Sequence, residues 1–156
     1  MLATVEKITT ELRPTVLDEL GLEAAIAWQV REFQERTGIK CVFDSKLGKA
    51  KLDPDRAAAV FRMFQETLTN IVRQAKATQA SIHLSQEEDK LVLEVHNNGR
   101  GVAGRETSGE RSLDVLGMRE RATSLNGEVN IVSRQGSGTL VGVRIPLQRA
   151  SELKKN

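Results

Sequence analysis

Twice in this chain, two strand-like runs stand only four residues apart. Residues 80–85 (ASIHLS) are followed by 90–96 (KLVLEVH), and 128–133 (EVNIVS) by 138–146 (GTLVGVRIP). Runs this close can be joined only by a tight turn, so each pair is expected to form an antiparallel hairpin. A fifth run, 39–44 (IKCVFD), alternates apolar and polar residues and reads as a strand as well. Helical segments lie between these strands. Short-turn strand pairs interleaved with helices argue for a mixed, mostly antiparallel sheet covered on one face by helices, an α/β two-layer sandwich.

The helices are legible from their periods and their ends. Residues 1–12 place Leu2, Val5, Ile8 and Leu12 at three- and four-residue steps, and Arg13-Pro14 stops that pattern. A second helix, capped by Thr15 or Asp18, is expected to run to about Arg36 with Leu22, Ala25, Ile26, Val30 and Phe33 on its apolar side. Thr37-Gly38 ends it. Asp53-Pro54 opens a third helix reaching about Lys76, with proline at the first turn, where its missing N–H costs nothing. A fourth covers 113–125 and stops at Asn126-Gly127. Residues 97–112 are polar and glycine-rich, too long for a plain turn. The expected organisation is a helical remnant or linker over 1–14, one domain over 15–148 and a solvated tail over 149–156.

Composition narrows the function classes. Lysine plus arginine number 23 against 21 acids, a net charge of +2, and no basic stripe or aromatic set suits nucleic acid. The lone Cys41 cannot form an internal disulfide and reads as a small apolar strand residue. No apolar run approaches the ~20 residues of a membrane span, and residues 1–14 lack a signal-peptide core. The expected compartment is the cytoplasm, which leaves open an inner-membrane anchor in a longer parent protein.

Three local patterns carry chemistry. In the third helix, Glu66, Asn70 and Arg73 are spaced by four and three residues and share one face. A carboxylate, an amide oxygen and cations on one stripe suit Mg²⁺ and phosphates, since Mg²⁺ takes oxygen ligands and recruits phosphates to its shell. The same spacing also describes a plain solvated helix face. At the end of a strand, His96 to Val102 (HNNGRGV) holds glycines that permit close approach to a ligand, or simply form a loop. Leu116 to Ala122 (LGMRERA) opens the fourth helix, whose N-terminus could attract an anion or be an ordinary helix start.

Taken in order, these patterns resemble the ATP-binding catalytic domain of sensor histidine kinases. QETLTNIVRQAKAT looks like their N box and NNGRG like their first glycine box. LGMRERA and Gly136-Ser137-Gly138-Thr139 look like the segments that follow. LRP…LDELGL upstream is similar to the subfamily that pairs with helix-turn-helix response regulators. The resemblance spans roughly residues 11–147.

The resemblance implies the Bergerat-type fold, with ATP held between the third helix and a lid over about residues 102–116. It implies Asn70 on Mg²⁺, Glu66 polarising or accepting a proton from the attacking imidazole or else ordering the metal's water, and Arg73 and Lys76 facing phosphates. Asn97, with Thr139 through water, would read adenine, and Gly99, Gly101 and Val102 would pass beside the base. Leu116, Gly117 and Met118 would complete the nucleotide site. The implied partners are a dimerisation and histidine-phosphotransfer domain and a cognate response regulator, with a homodimeric parent and a monomeric isolated domain.

The chain departs from the family pattern at several positions. Its only histidines are His83 and His96, in expected strands, so the phosphoacceptor histidine is not in it and it should not autophosphorylate. Asn97 stands where the family has aspartate, Ser112-Leu113-Asp114 where a glycine pair is usual, and Gln74 where histidine is usual. Two further readings stay open: a non-enzymatic relative with a degenerate nucleotide site acting as a regulatory or interaction module, and a serine kinase of the anti-sigma type.

Overall fold

The computed structural model describes residues 15–47, 52–72, 77–99, 110–134 and 138–147. The helix expected over 1–12, most of the expected lid and the tail lie outside them. In chain order the elements are α1 (Thr15–Leu20), α2 (Leu22–Thr37), β1 (Lys40–Lys46), α3 (Pro54–Asn70), β2 (Gln79–Glu87), β3 (Lys90–Asn97), α4 (Glu110–Ser124), β4 (Glu128–Arg134) and β5 (Gly138–Pro146).

The five strands form one sheet in the order β1-β2-β3-β5-β4. Both expected hairpins are present, with β2 antiparallel to β3 and β4 to β5. β3 pairs antiparallel with β5, which joins the two hairpins at the centre of the sheet. β1 pairs parallel with β2, as a crossover through α3 allows. The sheet is therefore mixed and mostly antiparallel, as the strand spacing implies.

One expected helix proves to be two. The stretch from Thr15 to Thr37 breaks at Gly21, whose φ of 92° lies in the region L side chains avoid. The chain bends there without losing contact, for Gly21 N–H donates to the Leu17 carbonyl and Gly21 O accepts from Ala25 N–H, both at 3.1 Å. The stop at Gly38 is as the sequence indicates, a left-handed cap whose N–H reaches Gln34 O.

α3 begins as Asp53-Pro54 predicts. Asp53 Oδ1 accepts from the N–H groups of Asp55 and Arg56 at 3.0 and 3.1 Å. The helix proper ends at Asn70, with Ile71 and Val72 in a wider, π-type turn; its expected continuation to Lys76 lies outside the described residues. Arg56, buried, donates from Nε to Pro146 O at 3.0 Å and from Nη1 to Asp53 Oδ2 at 3.1 Å. These bonds fasten the start of α3 to the end of β5.

The register decides which face is core. Ile82, Val95, Val141 and Ile131 lie in one row across the sheet, and Leu84, Leu93, Val143 and Val129 in the next. Against them pack Ile26 and Phe33 from α2, Val60, Phe61, Met63 and Phe64 from α3, and Met118 and Ala122 from α4. Each large side chain so buried contributes about 1.5–3 kcal/mol of transfer free energy.

Candidate functional site

On the same helix-covered face, the next row beyond Ile82–Val95–Val141–Ile131 turns polar. It holds Asn97, Thr139 and Ser133, with Ala80 at its β2 end. The apolar core thus gives way to hydrogen-bonding groups where β3 ends and β5 begins. Asn97 is buried, and its Oδ1 accepts from Gly99 N–H at 2.8 Å, which folds the chain tightly as it leaves β3. Thr139 is half-buried, and its hydroxyl pairs with that of Ser133 at 3.0 Å. Gly99 is buried beneath this turn.

α3 brings its polar stripe to the same end. Its first turn is tied to Pro146, at the far end of β5, and its 17 residues extend about 25 Å. The eight residues of β3 extend about 26 Å, so the helix is as long as the strands it covers. Its C-terminal end lies toward the start of β2, where Asn98 bridges the chain: Asn98 Oδ1 accepts from the N–H groups of Thr78 and Gln79, each at 2.9 Å. Asn70 is the last residue of the helix and half-buried.

Glu66, one turn earlier, is also half-buried, and its Oε1 accepts from Arg121 Nη1 of α4 at 2.8 Å. Arg62 Nε stands 3.9 Å from the same oxygen. Sequence reasoning placed Arg121 within a motif without giving it a role. Its only local signal is that it is a cation within LGMRERA. Ser133 was likewise missed, because only the register puts its hydroxyl beside Thr139.

Other expected site residues lie outside the described ones, or stand differently in their helix. Arg73, Lys76, Gly101 and Val102 lie outside the described residues, as does the side chain of Leu116. α4 starts at Glu110 rather than 113, so Leu116, Gly117 and Met118 lie well inside the helix, not at its N-terminus. Amides there are internal to the helix, which removes the anion-binding argument for them. The Met118 side chain is in the hydrophobic core, and nothing stands within 4 Å of a Cβ built on Gly117.

Among the described residues no cluster of three His, Cys, Asp or Glu could hold a metal ion. A Mg²⁺ here would therefore depend on phosphate oxygens, with Asn70 as a protein ligand. That donor set fits the ion's habit of binding through few side chains plus substrate. Among these residues no helix is long and apolar enough to cross a membrane.

Comparison with known proteins supplies the family and the fold. Residues 55–149 match the family model described as histidine kinase-, DNA gyrase B-, and HSP90-like ATPase. The oxygen sensor histidine kinase NreB of Staphylococcus carnosus is 32% identical over 143 residues, covering 92% of this chain and 41% of the relative. The chain thus spans about two-fifths of that protein's length.

Two solved structures share the fold. The histidine kinase domain of a blue-light activated histidine kinase from Erythrobacter litoralis superposes with a TM-score of 0.63 at 20% identity, covering 86% of this chain and 63% of that one. The histidine kinase AdeS of Acinetobacter baumannii gives 0.61 at 17% identity, covering 93% and 77%. With a family model matched over most of its length and its polar residues gathered at one end of the sheet, the chain belongs to the histidine kinase-, DNA gyrase B-, and HSP90-like ATPases.

Proposed function

We propose that this chain is the ATP-binding catalytic unit of a two-component sensor histidine kinase, passing the γ-phosphoryl group of ATP to a histidine on a separate dimerisation domain. The observation that carries the reading is the meeting of two polar stripes at one end of the sheet: Asn97 with Thr139, and Glu66 with Asn70. The first suits a base, held against the buried Asn97 amide and the Thr139 hydroxyl. The second suits a triphosphate, with Arg73 and Lys76 following Asn70 in the sequence.

Mg²⁺, when bound, would neutralise the β- and γ-phosphate oxygens. Asn70 would supply it an amide oxygen. Glu66 would accept the proton of the attacking imidazole as its nitrogen bonds to the γ-phosphorus and the bond to the β-phosphate oxygen breaks, releasing ADP. Little covalent work falls to the protein; placing the groups and balancing charge is the catalysis. Gly101, Val102, Leu116, Gly117 and Met118 belong to the proposal only through their motifs. The LRP…LDELGL and GMRERA segments are the reason for reading the chain as a cytoplasmic unit that serves a response regulator with a helix-turn-helix output.

Titration calorimetry with ATP, with and without Mg²⁺, tests this. Saturable Mg²⁺-dependent binding that Asn70→Ala weakens by about tenfold or more is expected. No binding up to millimolar ATP would overturn the reading and leave the fold as an interaction module.

A further inference from the structure

We propose that Arg121 is the positioning residue for Glu66: it holds one carboxylate oxygen so that the other is presented to the reacting group. The inference rests on the kinase reading of the site. Arg121 Nη1 donates to Glu66 Oε1 at 2.8 Å, and the more distant Arg62 addresses that same oxygen at 3.9 Å. Among the described residues nothing bonds Oε2. A carboxylate with one oxygen committed to a guanidinium loses its rotational freedom, and the free oxygen keeps a lone pair for a proton.

Both sides of the contact are rigidly mounted. Arg121 sits between Met118 and Ala122, which the core encloses, and Glu66 between Phe64 and Thr67, which are also buried. A functional carboxylate fixed from a second packed helix is better placed than one on a free rotamer. Arg62 cannot replace Arg121, since it lies on Glu66's own helix and its side chain is more than half exposed.

The test uses the whole 156-residue chain and two readouts: MgATP affinity by calorimetry, and phosphate release from MgATP, in which water takes the place of the histidine. Arg121→Gln is expected to lower kcat about tenfold or more while Kd and KM stay within about threefold. Arg121→Lys should restore part of the loss, because an ammonium can still donate to Oε1. Glu66→Gln combined with Arg121→Gln should be no slower than Glu66→Gln alone, as expected of groups acting through one another.

An unchanged kcat in Arg121→Gln overturns the proposal. So does a double variant whose losses multiply, or a loss confined to Kd, which would make Arg121 a phosphate ligand. A wild-type chain that binds MgATP but turns it over no faster than Glu66→Gln overturns it too. Failure of the wild type to bind MgATP at all removes the kinase reading and this inference together. Should Arg121→Gln unfold by circular dichroism, Arg121→Met keeps the packing of the stem and takes its place.

Discussion

Gly138 crosses the end of β3 so closely that a Cβ built on it would lie 1.9 Å from the carbonyl oxygen of Asn97. Its φ of 91° is also one that L side chains rarely adopt. Gly138→Ala is therefore expected to cost about 2–4 kcal/mol in urea unfolding, through both backbone strain and displacement of β5 from Asn97. MgATP affinity should fall with it, since the Asn97–Thr139 pairing depends on that approach. A stability change below about 1 kcal/mol would mean that the strand shifts freely.

Asn97→Asp changes one atom type in a buried side chain. The oxygen that accepts from Gly99 N–H is kept, and the amide nitrogen becomes a second, anionic acceptor. A charge-assisted bond to the adenine amine should tighten MgATP about tenfold, on the order of 1 kcal/mol. The ligand-free protein should lose some stability from burying the charge. Calorimetry and thermal melting read the two effects separately, and an unaltered Kd would show that residue 97 does not face the base.

Asn98 has a structural task of its own. Its Oδ1 takes two backbone N–H groups and its Nδ2 donates to Thr78 Oγ1 at 2.9 Å, tying the entry of β2 to the exit of β3. Asn98→Ala should destabilise the chain by about 1–3 kcal/mol. Hydrogen exchange should quicken at Thr78 and Gln79 more than at the β2–β3 turn, where uniform quickening would argue against a local tether.

Asp53→Ala removes a helix cap and strands a cation. Among the described residues, Arg56 would be left buried with Pro146 O as its bonded partner. The loss of the cap and of the ion pair should together cost about 3–5 kcal/mol. Asp53→Asn keeps the cap and should cost less; equal losses in denaturant midpoints would assign the whole effect to the ion pair.

The Cys41 thiol is pushed above its ordinary value of 9.0 by burial, which disfavours the thiolate. A raised pKa means that the folded chain holds this proton more tightly. The associated stability is present below 9.0 and is lost as pH climbs through and above it. Alkylation by iodoacetamide at pH 8 should be slower than that of free cysteine and reach the free rate in urea. Equal rates in the folded chain would mean that the thiolate forms unhindered.

Much of this architecture is readable along the chain because local chemistry carries it. Asp53-Pro54 caps a helix, Gly38 ends one, and the four-residue gaps impose hairpins wherever the strands later pack. Gly21 shows the limit: the apolar period of Leu22, Ala25 and Ile26 persists on one side of a break that the period does not reveal. The start of α4 was set too late, since Glu110 to Ser112 are polar and give no period to read.

By itself the sequence determined most of the elements and the mixed sheet through residue type and short spacing, and its ordered motifs, through their resemblance to a known family, pointed to Glu66, Asn70, Asn97 and Thr139 as candidates. The tertiary structure decided their company: Arg121 on Glu66 across 55 residues, Ser133 beside Thr139, Gly138 over Asn97, and Met118 in the core. Such contacts depend on strand register and on how helices seat against the sheet. Those are properties of the packed whole, set by the summed burial of many side chains, which no local stretch encodes.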